Sequence, residues 1–101
     1  RQADAYTIKH EPITSLALME RAALQCTRWF LKRFSNDEVF TIVCGNGNNG
    51  GDGLAIARQL ADQGRKVQCV ILKLSKKGSP DYEANKIAIE KVGISKLELK
   101  A

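Results

Sequence analysis

Apolar positions recur in this chain first at helical spacing and later as short unbroken runs, and that order lays out a fold. After a polar lead-in over residues 1–14, the spacing of three and four over residues 16–34 predicts a long helix. One stripe holds Leu16, Met19, Ala23, Cys26, Phe30 and Phe34, a second Leu18, Ala22 and Trp29, a third Ala17, Leu24 and Leu31. Arg21, Gln25, Arg28 and Lys32 share one narrow polar face. A helix apolar over so much of its circumference is buried on more than one side. Thr14 or Ser15 can cap it, and Pro12 separates it from a shorter helix predicted over residues 1–9. Apolar runs over 39–44, 66–72 and 96–99 predict strands. The second is continuously apolar from Cys69 to Leu72, as a doubly covered parallel strand would be. Between the strands, residues from about 52 to 63 with Gly64 as a stop, and residues 80–92 with Ser79 as cap and Pro80 first, predict helices.

Strand–helix–strand–helix–strand is the pattern of a right-handed parallel α/β sheet. The expected class is a Rossmann-like three-layer parallel sheet with an additional N-terminal helix: a helical segment over 1–36 and a β-α-β-α-β portion over 37–101. Ligands in such sheets bind at the carboxyl ends of the strands. The unusual chemistry of the chain sits there. Residues 43–53 hold five glycines and three asparagines between the first strand and the next helix. Glycines admit backbone conformations closed to other residues and let a ligand approach the main chain. The helix start beyond them offers unpaired N–H groups and a positive dipole end, a cradle for a phosphorylated ligand.

Gly45, Gly47 and Gly50 satisfy the G-x-G-x-x-G dinucleotide fingerprint in a strand–loop–helix context. The acidic residue that usually follows on the next strand is missing; Lys73 stands there, with Lys76 and Lys77 beyond, which suits a phosphate better than a ribose diol. A Walker loop is excluded, because Gly-Lys-Ser/Thr occurs nowhere. Asn48 and Asn49 add side-chain amides and carbonyls, and turn geometry alone also accounts for asparagines in such a place. Asp52 reads as a carboxylate at the helix start, ionised and hydrogen-bonded to backbone amides. Oxygen donors of this density also suit a hard cation.

The run Asn48-Asn49-Gly50-Gly51-Asp52-Gly53-Leu54, with Cys44-Gly45 before it and Ala57-Arg58 after it, resembles the signature of the YjeF N-terminal domain family, the NAD(P)H-hydrate epimerases. Asp4 to Ile8, Leu18-Met19-Glu20-Arg21-Ala22, Asp81 and Asn85 agree with the same pattern. Asn46 stands where many members have proline, and Ala23 where many have glycine. The resemblance implies an isomerase that interconverts the R and S forms of hydrated NADH and NADPH, so that a dehydratase can restore the cofactor. It implies that Asn48, Asn49, Gly50, Gly51 and Asp52 bind the hydrated nucleotide and that Asn49 contributes to a potassium site. It also implies a homodimer through the N-terminal helix, a fused or separate dehydratase, and a chain that forms the N-terminal half of such a domain. No catalytic base can be named from these residues. The alternative within the same fold is a non-catalytic dimerising scaffold of messenger RNA decapping complexes; the intact run from Asn48 to Asp52 argues for a working ligand site instead.

Composition trims this picture. The 101 residues carry a net charge of +5, spread along the chain without a dense cluster or interleaved aromatics, so nucleic acid is not the expected partner. Cys26, Cys44 and Cys69 lack metal spacing and read as buried free thiols in a reducing cytoplasm. With His10 the single histidine, a zinc site is not expected, and His10 reads as surface. No apolar run is long enough to span a bilayer. Glu20 falls between apolar stripes, where a carboxylate needs a partner, either loop amides or an arginine across a dimer interface.

Overall fold

The structure, a computed structural model, describes residues 14–74 and 78–100, and for Asn48 and Asn49 the main chain only. The short helix expected over 1–9, the Asp4 to Ile8 motif, His10, Lys76 and Lys77 lie outside the described residues. Six elements follow in order: α1 (Ser15–Arg33), β1 (Val39–Gly45), α2 (Asn48–Asp62), β2 (Lys66–Lys73), α3 (Pro80–Lys91) and β3 (Ser95–Lys100). The three strands are parallel in the order β1-β2-β3, with Gly45 paired to Leu72 and Leu72 to Leu99. This is the expected Rossmann-like α/β arrangement.

Local chemistry sets the element ends. Thr14 caps α1, its hydroxyl oxygen accepting the Ala17 N–H at 3.0 Å. Ser79 caps α3 by accepting the Tyr82 N–H at 3.1 Å, with Pro80 first in the helix. Helices α2 and α3 both stop in the same way. Gly64 and Gly93 take positive φ (80° and 79°), and the following N–H of Arg65 and Ile94 reaches back to Leu60 and Ile89. That is the Schellman closure, which glycine makes without steric cost.

Consecutive strand order with right-handed crossovers puts α2 and α3 on one face of the sheet. That face carries the core: Cys44, Cys69 and Ile71 from the strands meet Leu54, Ala57, Tyr82 and Ile89 from the helices. The opposite face is apolar but open, with Val43 62%, Val39 58% and Leu97 55% exposed. The described residues therefore build two of the three expected layers, and β2 is covered on one side only. The two-sided hydrophobicity of its sequence is real; the second cover is not among the described elements.

Helix α1 leans mainly on α2, meeting the sheet where Phe30 and Phe34 pack on Phe40 of β1, and polar groups fix it there. The buried Thr27 hydroxyl donates to Gln59 Oε1 at 2.6 Å, and Gln59 Nε2 donates to the Glu20 carbonyl at 3.0 Å. The Glu20 carboxylate pairs with Arg58 of the same chain, which also reaches Asp62 at 3.2 Å. Within the chain the partner of Glu20 is one the sequence reading did not name, Arg58, which α2 presents to it one helix away. Arg65 ties down the other end of α1, donating to the carbonyls of Leu31, Phe34 and Ser35. Cys26 is exposed, contrary to expectation, because it shares with Trp29 the side of α1 turned away from α2. Cys44 and Cys69 are buried as expected, and burial pushes the Cys69 thiol up to about 11. No helix among the described residues is long and apolar enough to cross a membrane.

At the flank of β3, Glu98 collects three ammonium groups: Lys96 at 2.7 Å, Lys73 at 3.0 Å and Lys86 at 3.3 Å. Lys96 first, then Lys73, hold its carboxyl at about 2, below the ordinary 4.5. A depressed carboxyl stabilises the fold above its unfolded pKa, and that contribution fades as pH falls from about 4.5 toward 2. Acid titration of the thermal midpoint should therefore drop less steeply below pH 4.5 in Glu98→Gln than in the parent chain. Identical slopes would mean that the lysines do not hold this charge.

Candidate functional site

The carboxyl edge of the sheet gathers three helix amino ends. β1 runs out at Gly45, and α2 begins at Asn48 with Gly47 as its cap residue. The Ser79 N–H donates to the Asn46 carbonyl at 3.4 Å, which sets the start of α3 beside the loop. The Ser15 hydroxyl donates to Asp81 at 2.7 Å, which brings the first turn of α1 to the first turn of α3. Each start carries a partial positive charge and amides without intrahelical partners.

α2 starts four residues earlier than the sequence predicts. Three glycines in its first turns cost about 1 kcal/mol each in intrinsic helix propensity, which is why the pattern read as loop. Tertiary contact holds them helical. A methyl group on Gly50 would lie 2.6 Å from the Gly45 carbonyl carbon and closer still to its oxygen. At Gly51 it would meet the Met19 sulfur at 3.1 Å and the Tyr82 Cα at 3.3 Å, and at Gly53 the Cys44 Cβ at 3.2 Å. These glycines serve close helix packing rather than unusual conformation; among the described residues only Gly64 and Gly93 have positive φ. Gly47 differs, since a methyl there would meet nothing within 4 Å. Gly47 is thus open for an approaching ligand, and the amides of Asn48, Asn49 and Gly50 precede the first helical bond, which Gly51 makes to the Gly47 carbonyl at 3.1 Å.

Asp52 corrects a second expectation. It is the fifth residue of α2, past the first turn, and caps nothing. It is half-buried and without a hydrogen bond or ion pair among the described residues, and burial pushes its carboxyl above the ordinary aspartate value. A raised carboxyl favours the fold at low pH and loses that advantage as pH rises through its folded pKa. Asp52→Asn should accordingly raise the thermal midpoint at pH 7 and change it little at pH 3. A fall at pH 7 would reveal a partner for the carboxylate.

Among the described residues no cluster of three His, Cys, Asp or Glu side chains could hold a metal. Two grooves beside α1 lie apart from the loop. One of about 380 Å³ is lined by Leu24, Thr27, Arg58, Gln59 and Asp62, the other of about 330 Å³ by Leu16, Ala17, Glu20, Ala84 and Asn85. Sequence reasoning missed how Met19, Asn46 and Tyr82 support the site. Met19 packs on Gly51 and accepts the Asn85 amide at 3.3 Å, contacts between residues too far apart in sequence to leave a local signal.

These features define a Rossmann-like α/β portion whose glycine-rich loop lies at the carboxyl end of β1. Residues 15–101 match the family described as YjeF-related protein N-terminus, and the chain belongs to that family. It is 41% identical to an NAD(P)H-hydrate epimerase of Limosilactobacillus fermentum over 82% of this chain and 40% of that protein. It is 46% identical to the Limosilactobacillus reuteri (strain DSM 20016) enzyme of the same name, over 81% of this chain and 37% of that one. A Salinibacter ruber bifunctional NAD(P)H-hydrate repair enzyme Nnr is 38% identical over 82% of this chain and 16% of its own length. The crystal structure of the yeast protein ynu0 superposes with a TM-score of 0.68 at 25% identity, over 96% of this chain and 43% of that one. The chain spans less than half the length of each of these relatives.

Proposed function

We propose that this chain is the nucleotide-holding part of an NAD(P)H-hydrate epimerase, an isomerase acting on the R and S forms of hydrated NADH and NADPH. The observation that carries the reading is the open Gly47 and a start of α2 that no side chain caps among the described residues, at the edge where parallel sheets bind ligands, in a chain this close to named epimerases. In this reading the amides of Asn48, Asn49 and Gly50 take a phosphate of the nucleotide. Gly51 lets α1 and α3 close in beneath them, and Asp52 meets the substrate one turn along. Their work is orientation and charge complementarity.

A potassium ion belongs to the same proposal, with Asn49 as one ligand. The donor chemistry fits: Asp52, three residues on, shares a side of α2 with Asn49 and has no partner among the described residues, and oxygen donors suit a hard cation. Such an ion would offset the charge of the bound nucleotide. Further oxygens must come from outside the described residues. The exposed side of α1 with Leu18 and Trp29 supports a homodimer through that helix, and the bifunctional relative supports a fused or separate dehydratase as the partner in repair. The unpaired buried thiols Cys44 and Cys69 favour a cytoplasmic setting.

The test is chromatographic separation of the R and S forms of hydrated NADPH during incubation with the full-length protein carrying this chain. Interconversion faster than the spontaneous rate is expected, with Asp52→Ala slower. A folded protein that leaves the spontaneous rate unchanged would remove the enzyme reading.

A further inference from the structure

The three fingerprint glycines divide their roles as a dinucleotide-binding turn divides them. Gly45 ends the strand, Gly47 faces open space, and Gly50 lies so close on Gly45 that α2 packs flush against β1. In such a turn the middle glycine admits the pyrophosphate. The adenosine ribose then falls at the carboxyl end of the neighbouring strand, where a carboxylate takes the ribose hydroxyls or a basic side chain takes a 2′-phosphate. The neighbouring strand here is β2, whose Leu72 pairs with Gly45, and the residue that follows is Lys73. By strand alternation Lys73 lies on the helix-covered face with Cys69 and Ile71. Its ammonium touches Glu98, but Lys86 and Lys96 hold that carboxylate as well. With its side chain 41% exposed against 21% for Lys86 and 23% for Lys96, Lys73 is the member of the cluster that can turn to an external anion. The other two stay behind to neutralise Glu98.

We infer that Lys73 is a specificity residue for the 2′-phosphate, so that the site takes phosphorylated nucleotides of the NADP series in preference to those of the NAD series. The inference rests on the proposed nucleotide site and adds to it which nucleotide is favoured. Calorimetric titration of the full-length protein with NADP⁺ and with NAD⁺ at low salt tests both. One charge-assisted contact to the extra phosphate should make NADP⁺ bind about tenfold tighter. Lys73→Gln should abolish that difference and Lys73→Arg keep it. Lys86→Gln, which alters the same Glu98 cluster away from the strand end, should keep it too. Equal affinities in the parent protein, or a preference that survives Lys73→Gln, would overturn the inference and leave the nucleotide site standing. Failure of both nucleotides to bind would overturn the inference together with the site.

Discussion

Gly50→Ala should cost about 3 kcal/mol or more of stability, although alanine is the better helix former by about 1 kcal/mol. The sign is decided by what a methyl group would meet. At Gly50 the obstacle is the main chain of Gly45, at 2.6 Å from its carbonyl carbon, and a strand backbone cannot swing aside as a side-chain end can. Relief requires α2 to lift off β1, and with it the packing of Leu54 and Ala57 on Cys44 and Ile71. Gly47→Ala is the matched control, since a methyl there meets nothing within 4 Å. Exchanging glycine for alanine at a helix cap costs from a few tenths to about 1 kcal/mol. Urea unfolding of the two variants side by side measures the contrast. A Gly50→Ala protein within about 1 kcal/mol of the parent would show that α2 does not sit flush on β1.

That contrast also explains how far the sequence could be read. Strand positions, the caps at Thr14 and Ser79 and the glycine stop at Gly64 were legible, because each depends on residues within a few positions of one another. The start of α2 was not. Gly50, Gly51 and Gly53 look like loop residues to any local rule, and only contacts with Gly45, Met19, Tyr82 and Cys44 make them helical. The error over Asp52 follows from this: move the helix start back to Asn48 and the supposed cap becomes an interior residue, half-buried without a partner among the described residues. The intrachain partner of Glu20 was hidden for a similar reason. Helical periodicity shows that a carboxylate on that side needs a partner, and it cannot show that Arg58, 38 positions away, supplies it. Cys26 was misplaced because an apolar stripe announces that something could cover it, and nothing among the described elements does. The open face of the sheet teaches the same point, since β2 reads as covered on both sides while Val43 and Leu97 on that face stand exposed.

Tyr82→Ala is expected to be about as damaging as Gly50→Ala, and the comparison with Tyr82→Phe separates packing from hydrogen bonding. The ring is among the largest fully buried side chains, at 1% exposure, and joins the cluster of Cys44, Leu54 and Ile71. Removing a buried aromatic of this kind costs about 3–5 kcal/mol. The hydroxyl is a different matter. It is buried without a hydrogen-bond partner among the described residues, and burial first, then the Glu98 charge, push its pKa up to about 12. A neutral polar group left unpaired in a core costs about 1–3 kcal/mol, so deleting it should leave stability unchanged or improve it. Because the group stays protonated, the gain should be the same at pH 5 and pH 9. The two variants should also part company at the site. Tyr82 sits in the first turn of α3, just after Ser79, whose N–H is bonded to the loop at Asn46, and its Cα lies behind Gly51. An empty space there loosens the wall against which α2 begins, while phenylalanine keeps it. Thermal unfolding and nucleotide titration of both variants give the readout: Tyr82→Phe should match the parent in affinity, and Tyr82→Ala should lose both stability and binding. A Tyr82→Phe protein destabilised by more than about 1 kcal/mol would mean that the hydroxyl has a buried partner, such as an ordered water shared with Glu98.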